Sequence, residues 1–147
     1  MNDNPETDTI AEPAAPHWTF SVLHAAHLIE DRIEQALGKV GLSMAKHGAL
    51  SELAAAGEPL TLSQLAARLS CVRSNMTQLV DRLEADGLVT RLDDPDDRRS
   101  VRAELTQLGK ERQQAGEKAV KRVQSEFAAT LTSRERSALE AALGALR

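Results

Sequence analysis

Past Pro16 the chain turns apolar at helical spacing, with Phe20, Leu23, His27, Ile33 and Leu37 along one side, until Gly38 and Gly41 interrupt it. That predicts a first helix. Ser43 is placed to cap a second, which carries Leu50 and Leu53 and stops at "AGEP", Ala56 to Pro59. "TLSQ", Thr61 to Gln64, has the form of a capping box, in which a hydroxyl and a glutamine satisfy each other's backbone N–H groups, and it opens a short third helix through Leu62, Leu65 and Leu69. "VRSNMTQLVDRLEADG" then sets Met76, Leu79, Val80 and Leu83 on one face of a fourth helix, closed by Gly87 in the left-handed stop position.

The period now drops to two. "LVTRL", Leu88 to Leu92, and "VRAEL", Val101 to Leu105, read as the arms of a two-stranded hairpin, the second arm pointing Val101, Ala103 and Leu105 one way and Arg102 and Glu104 the other. Thr106 is positioned to cap a proline-free helix running to about Thr130, and "TSRE", Thr132 to Glu135, opens a last helix with Leu139, Leu143 and Leu146 on one face. The expected fold is mainly α with a small β-hairpin: a winged helix-turn-helix over residues 43–106, flanked by helices over 17–40 and 107–147. With almost no aromatic residues, the flanking helices must bury stripes of Leu, Ala and Val, and a second copy of the chain is the simplest partner. A homodimer is expected.

Composition narrows the class further. At 147 residues one domain buries enough surface to need no staple, and the lone cysteine, Cys71, excludes an internal disulfide and fits a reducing compartment. Residues 1–15 are acidic, proline-bearing and without a basic or apolar leader, so they read as a disordered tail and not a signal peptide. No apolar run approaches the roughly 20 residues of a membrane span, and a cytoplasmic protein is expected. The net charge of −4 argues against nucleic acid only until it is located: Asp3, Glu6, Asp8 and Glu12 supply all of it.

The distribution of charge then becomes informative. Arg73, Ser74, Asn75, Thr77, Gln78 and Arg82 lie opposite the apolar stripe of the fourth helix, and these are side chains that read base edges or hold phosphates. Beside them, "RLDDPDDRRSVRAELT", Arg91 to Thr106, crowds carboxylates against guanidiniums. One answer is that Arg98 and Arg99 serve a wing tip over the minor groove, with Asp97 accepting from the Arg99 guanidinium and holding its rotamer. Asp93, Asp94 and Asp96 are then turn formers around Pro95 that face solvent. His24 and His27 stand one turn apart with Asp31 beyond, and His47 opens the second helix; packing histidines are the leading reading, with zinc a weaker one for want of a further ligand.

These residues resemble the MarR family of bacterial transcriptional regulators. The family's wing motif, Asp-x-Arg, five residues, then Leu-Thr, is matched by Asp97-Arg98-Arg99, "SVRAE" and Leu105-Thr106, while "LSQLAARLS", "LVDRLEADGLVTR" and "LTSRERSALEAAL" look like its third helix, its recognition helix running into the wing, and its last dimerisation helix. The similarity covers roughly residues 18–147, and a family-like domain over 16–147 follows. It implies an obligate homodimer on a pseudopalindromic double-stranded operator, most simply a repressor, released by a small-molecule effector bound in a cleft that Trp18, His24, His27 and His47 line. The chain has no Gly-rich phosphate loop, no metal-ligand cluster and no nucleophile with an evident base, so no cofactor, no metal and no catalytic residues are expected. Val72 departs from the pattern, standing where a capping residue usually opens the recognition helix; Ser74 or DNA phosphates would serve instead. Cys71 is not where oxidant-sensing members carry theirs, and the chain has no tyrosine. The competing class is a winged helix that binds protein, an adaptor or anti-activator without DNA.

Overall fold

Ser43, Thr61, Thr106 and Thr132 accept backbone N–H groups at the helix starts they were placed to cap, and around Thr61 and Thr132 both halves of a capping box form, with Gln64 and Glu135. The computed structural model describes residues 16–145. The expected tail, 1–15, and Leu146 lie outside the described residues. The elements are α1 (Pro16–Gly38), α2 (Met44–Ala56), β1 (Leu60–Thr61), α3 (Leu62–Arg68), α4 (Arg73–Ala85), β2 (Val89–Asp93), β3 (Val101–Leu105), α5 (Gln107–Ala129) and α6 (Ser133–Gly144). The described residues divide at Asp31 and Arg32 into two compact units, and α1 contributes to both.

The hairpin gains a partner that the alternation did not signal. β1 pairs antiparallel with β3, Leu60 opposite Ala103 and Thr61 opposite Arg102, so the sheet runs β1-β3-β2. A two-residue strand is too short to show a period, and Thr61 also begins the capping box of α3. The β2–β3 ladder sets Val89 opposite Leu105, Arg91 opposite Ala103 and Leu92 opposite Arg102. One core joins these pieces within the second unit: Leu37, Leu50, Leu65, Met76, Val80, Leu83 and Val89 are fully buried. Each such side chain contributes about 1.5–3 kcal/mol relative to exposure.

Two glycines on α5 fix how closely the helix can approach its neighbours. A Cβ on Gly109 would sit 1.9 Å from the Leu88 carbonyl oxygen, and one on Gly116 would sit 2.6 Å from His47 Nδ1. The start of α5 is also tied to the end of α4, because the Thr106 hydroxyl donates to the Gly87 carbonyl at 2.7 Å while the Thr106 N–H donates to Leu88 O at 3.1 Å. Among the described residues no helix is long and apolar enough to cross a membrane.

Candidate nucleic-acid interface

The fourth helix is amphipathic in the sense its sequence predicts. Met76, Val80 and Leu83 are buried, and Arg73, Ser74, Asn75, Thr77, Gln78 and Arg82 are all exposed. It stops by a Schellman closure: Leu88 N–H donates to Leu83 O at 2.9 Å, Gly87 N–H to Glu84 O at 2.9 Å, and Gly87 takes φ +71°. Its start is bare. Val72 offers no side-chain acceptor and is 62% exposed, and no side chain, Ser74 included, caps the first turn. That leaves the positive end of a helix dipole open to an anion. The turn leading into α4 is tight, with Ser70 held at φ +49° and Cys71, half-buried, donating its N–H to Ala66 O at 2.9 Å. Thr77 spends its hydroxyl on the Arg73 carbonyl at 3.3 Å.

The crowded loop resolves into two kinds of arginine. Arg91, on β2, reaches back to α4, where its guanidinium meets Asp81 and lies 3.0 Å from Glu84 Oε2; Glu84 also accepts the Arg91 backbone N–H at 3.3 Å. Arg102, on β3, holds Asp94 at 3.0 Å and Asp96 at 3.4 Å. Four carboxylates beside the α4 face and wing are thereby occupied by two arginines. Arg73, Arg82, Arg98 and Arg99 form no ion pair among the described residues and are exposed.

Two expectations about the wing are corrected. Asp94 does not face solvent: it is 7% exposed, its Oδ1 accepts the Asp96 N–H at 3.1 Å, and its own N–H donates to Ser100 O at 3.2 Å. The Asp96 N–H bond, helped by the Arg102 guanidinium and the Ser100 hydroxyl, holds its carboxyl below the usual carboxylate range and outweighs the opposing effect of burial. Nor does Asp97 brace a guanidinium. Its Oδ1 accepts the backbone N–H of Arg99 at 2.9 Å, and its carbonyl accepts from Ser100 N–H at 2.9 Å, so it shapes the turn and leaves the Arg99 side chain unheld. The Asp94–Arg102 pair was missed because its partners are eight positions apart; the alternation that turns Arg102 away from Ala103 was the available signal.

The residues expected to line an effector cleft divide between the two units. Trp18, His24 and His27 lie on the first part of α1 and are exposed, Trp18 at 74%; His27 Nδ1 stands 3.6 Å from Glu30, not from Asp31. His47, on α2, is packed against Gly116 of α5. Its Nδ1 is buried without a hydrogen-bond partner, and its Nε2 is 3.9 Å from Glu117. Burial lowers the His47 pKa from its ordinary value, with Glu117 opposing. Among the described residues no three His, Cys, Asp or Glu side chains gather as a metal site would need.

Comparison with known proteins gives concordant results. The model of the MarR family matches residues 40–100. The HTH-type transcriptional regulator PrsX of Escherichia coli is 31% identical over 101 residues, which cover 67% of this chain and 61% of that protein. The chain spans 41% to 61% of the length of the curated relatives it matches. Among solved structures, the organohalide-sensing transcriptional regulator RdhR in its 2,4-dichlorophenol-bound form superposes with a TM-score of 0.78 at 26% identity, covering 100% of this chain and 86% of that one. A mutant MarR from E. coli complexed with operator DNA superposes with a TM-score of 0.76 at 23% identity, covering 89% and 94%.

Proposed function

The chain belongs to the MarR family, and from that premise we propose that it is a transcriptional regulator that binds double-stranded operator DNA as a homodimer and represses until a small-molecule effector releases it. The observation that carries the reading is the division of the arginines. Arg73 and Arg82 on α4, and Arg98 and Arg99 at the wing tip, carry no carboxylate partner among the described residues, while neighbouring acids are neutralised by Arg91 and Arg102. Guanidiniums pair bidentately with guanine in the major groove, and Asn75 and Gln78 suit adenine. The uncapped start of α4 suits a phosphate. The operator-bound mutant MarR and the relatives named as regulators support the same reading.

Dimerisation is supported by apolar surface that a single chain leaves open. On α1, Trp18, Phe20, Val22, Leu23 and Leu28 are exposed, and on α6, taken by itself, Leu139 and Leu143 are exposed and no residue is buried. A two-fold copy would cover such faces and present two recognition helices about one DNA turn apart, roughly 34 Å. Effector release draws support from RdhR, whose structure is of its 2,4-dichlorophenol-bound form.

Selection of DNA from a random pool, followed by titration of the recovered site, tests the proposal. Enrichment of an inverted repeat bound by one dimer is the expected outcome. Recovery of no site, with a partner protein binding the α4 face instead, would establish the adaptor reading.

A further inference from the structure

We infer that the cavity between the end of α2, the end of β3 and the first turns of α5 is a binding site for a small organic amine. The cavity is about 310 Å³, enough for a molecule of one ring and a short chain. Leu53, Ala54 and Leu105 give it an apolar wall, and Glu58, Glu104 and Lys110 stand at its rim.

The polar groups set the ligand's charge. Glu58, Glu104 and Lys110 form no ion pair among the described residues, so two carboxylates face one ammonium. α2 ends here, with Gly57 N–H donating to Leu53 O at 3.2 Å, and the carbonyls of that last turn present the negative end of the helix dipole. Gln113, also in the lining, donates its amide N–H to Ser51 Oγ at 3.4 Å, which leaves its carbonyl oxygen as an acceptor. A ligand therefore meets a net negative charge beside an apolar patch, which favours a protonated amine on a hydrocarbon body over an aryl carboxylate, for which the lining offers one cation, Lys110. Glu104 and Leu105 belong to β3, the strand whose other end carries Arg102 and so the wing. An amine that draws Glu104 toward α2 shifts β3 against its ladder partner β2, and with it the wing. The regulatory consequence rests on the operator reading; the binding site does not.

Titration calorimetry of the full chain with 2-phenylethylamine and with 3-phenylpropionate, similar in size and opposite in charge, tests the site without DNA. The amine is expected to bind and the acid to bind at least about tenfold more weakly, and Glu104→Gln and Glu58→Gln are each expected to weaken the amine about tenfold with no change in Tm. Failure of the amine to bind, equal binding of the acid, or an amine affinity indifferent to both variants overturns the assignment. Repeating the measurement as competition with the selected operator separates the two readings: amine binding that leaves the operator complex intact keeps the site and removes its coupling to the wing.

Discussion

The two sides of the winged helix solve opposite problems with the same small set of residue types. On the α5 side two contacts are closed: Gly109 brings the helix against the Leu88 carbonyl, Gly116 brings it against His47, and no side chain could be added at either without movement. On the α4 and wing side the exposed polar groups are left open, and the charge spent there is spent on neutralising nearby acids. Arg91 and Arg102 belong to the first purpose although they lie in the second region. The lesson is that an arginine in a recognition motif is not by itself a contact; its carboxylate neighbours decide whether it builds the element or is left free to reach outward.

The largest effect expected of a single change falls on the closed side. Gly109→Ala would place a methyl 1.9 Å from Leu88 O, so backbone must shift, and we expect a loss of about 3 kcal/mol, a fall in Tm of about 6–12 °C for a domain of this size. Gly38→Ala, where a Cβ meets nothing within 4 Å, should be neutral or slightly stabilising. Equal melting temperatures for the two variants would dissolve the distinction between a glycine required by contact and one that is merely tolerated.

On the open side the expected losses are of binding and not of stability. Arg73→Ala should weaken operator binding by about 1–3 kcal/mol and relax preference at one position of each half-site, as removal of a bidentate guanine contact does. Arg99→Ala should weaken most those operators whose flanking step is rich in A·T. Neither should move Tm, since neither side chain has a carboxylate partner among the described residues. Arg102→Ala should do the reverse, lowering Tm because Asp94 is left buried without its partner. Thermal melts and operator titrations of the three variants, run side by side, check the division.

This split also marks what the sequence could convey. Helix starts, the stripe of α4, the glycine stop and the hairpin arms are set by residues within four or five positions of one another, so spacing alone exposes them. The exposed polar residues of α4 follow, because a polar position opposite an apolar stripe has only solvent to face. What escaped depends on pairs that meet through the fold: Asp94 with Arg102, Arg91 with Asp81 and Glu84, β1 with β3, and Gly109 with Leu88. Composition showed that carboxylates and guanidiniums were crowded together, but choosing partners among them requires the β2–β3 register and the return of β2 across α4.

A smaller effect, again on the closed side, is a pH dependence of stability. The folded chain lowers the pKa of His47 below its ordinary 6.5, so the fold favours the neutral ring; a second proton on Nδ1 would leave a buried N–H with no acceptor. Stability from this site is complete above pH 6.5 and is lost as pH falls through that value toward the lower folded one. Glu117 moderates the loss. Denaturant unfolding between about pH 7.5 and about pH 5, a range that brackets the ordinary histidine value, should therefore show a declining free energy that flattens in His47→Gln; an unchanged slope would assign the decline to other groups.

The smallest expected effect is the most discriminating, because it sets charge against shape at one residue of the open side. Asp97 is a carboxylate at the wing tip, and at about 8 Å in water it repels a phosphate by only about 0.5 kcal/mol before salt screens it. Its Oδ1 also accepts the Arg99 backbone N–H at 2.9 Å and so fixes the turn from which the Arg99 side chain departs. Asparagine keeps an oxygen acceptor in that place and removes the charge; alanine removes both. Asp97→Asn should therefore bind the operator up to about twofold more tightly at low salt, the gain fading as salt rises, while Asp97→Ala should bind more weakly than the parent despite the same change in charge. Tighter binding by both variants would mean that the turn needs no carboxylate or amide, and that Asp97 acts at the wing only through its charge.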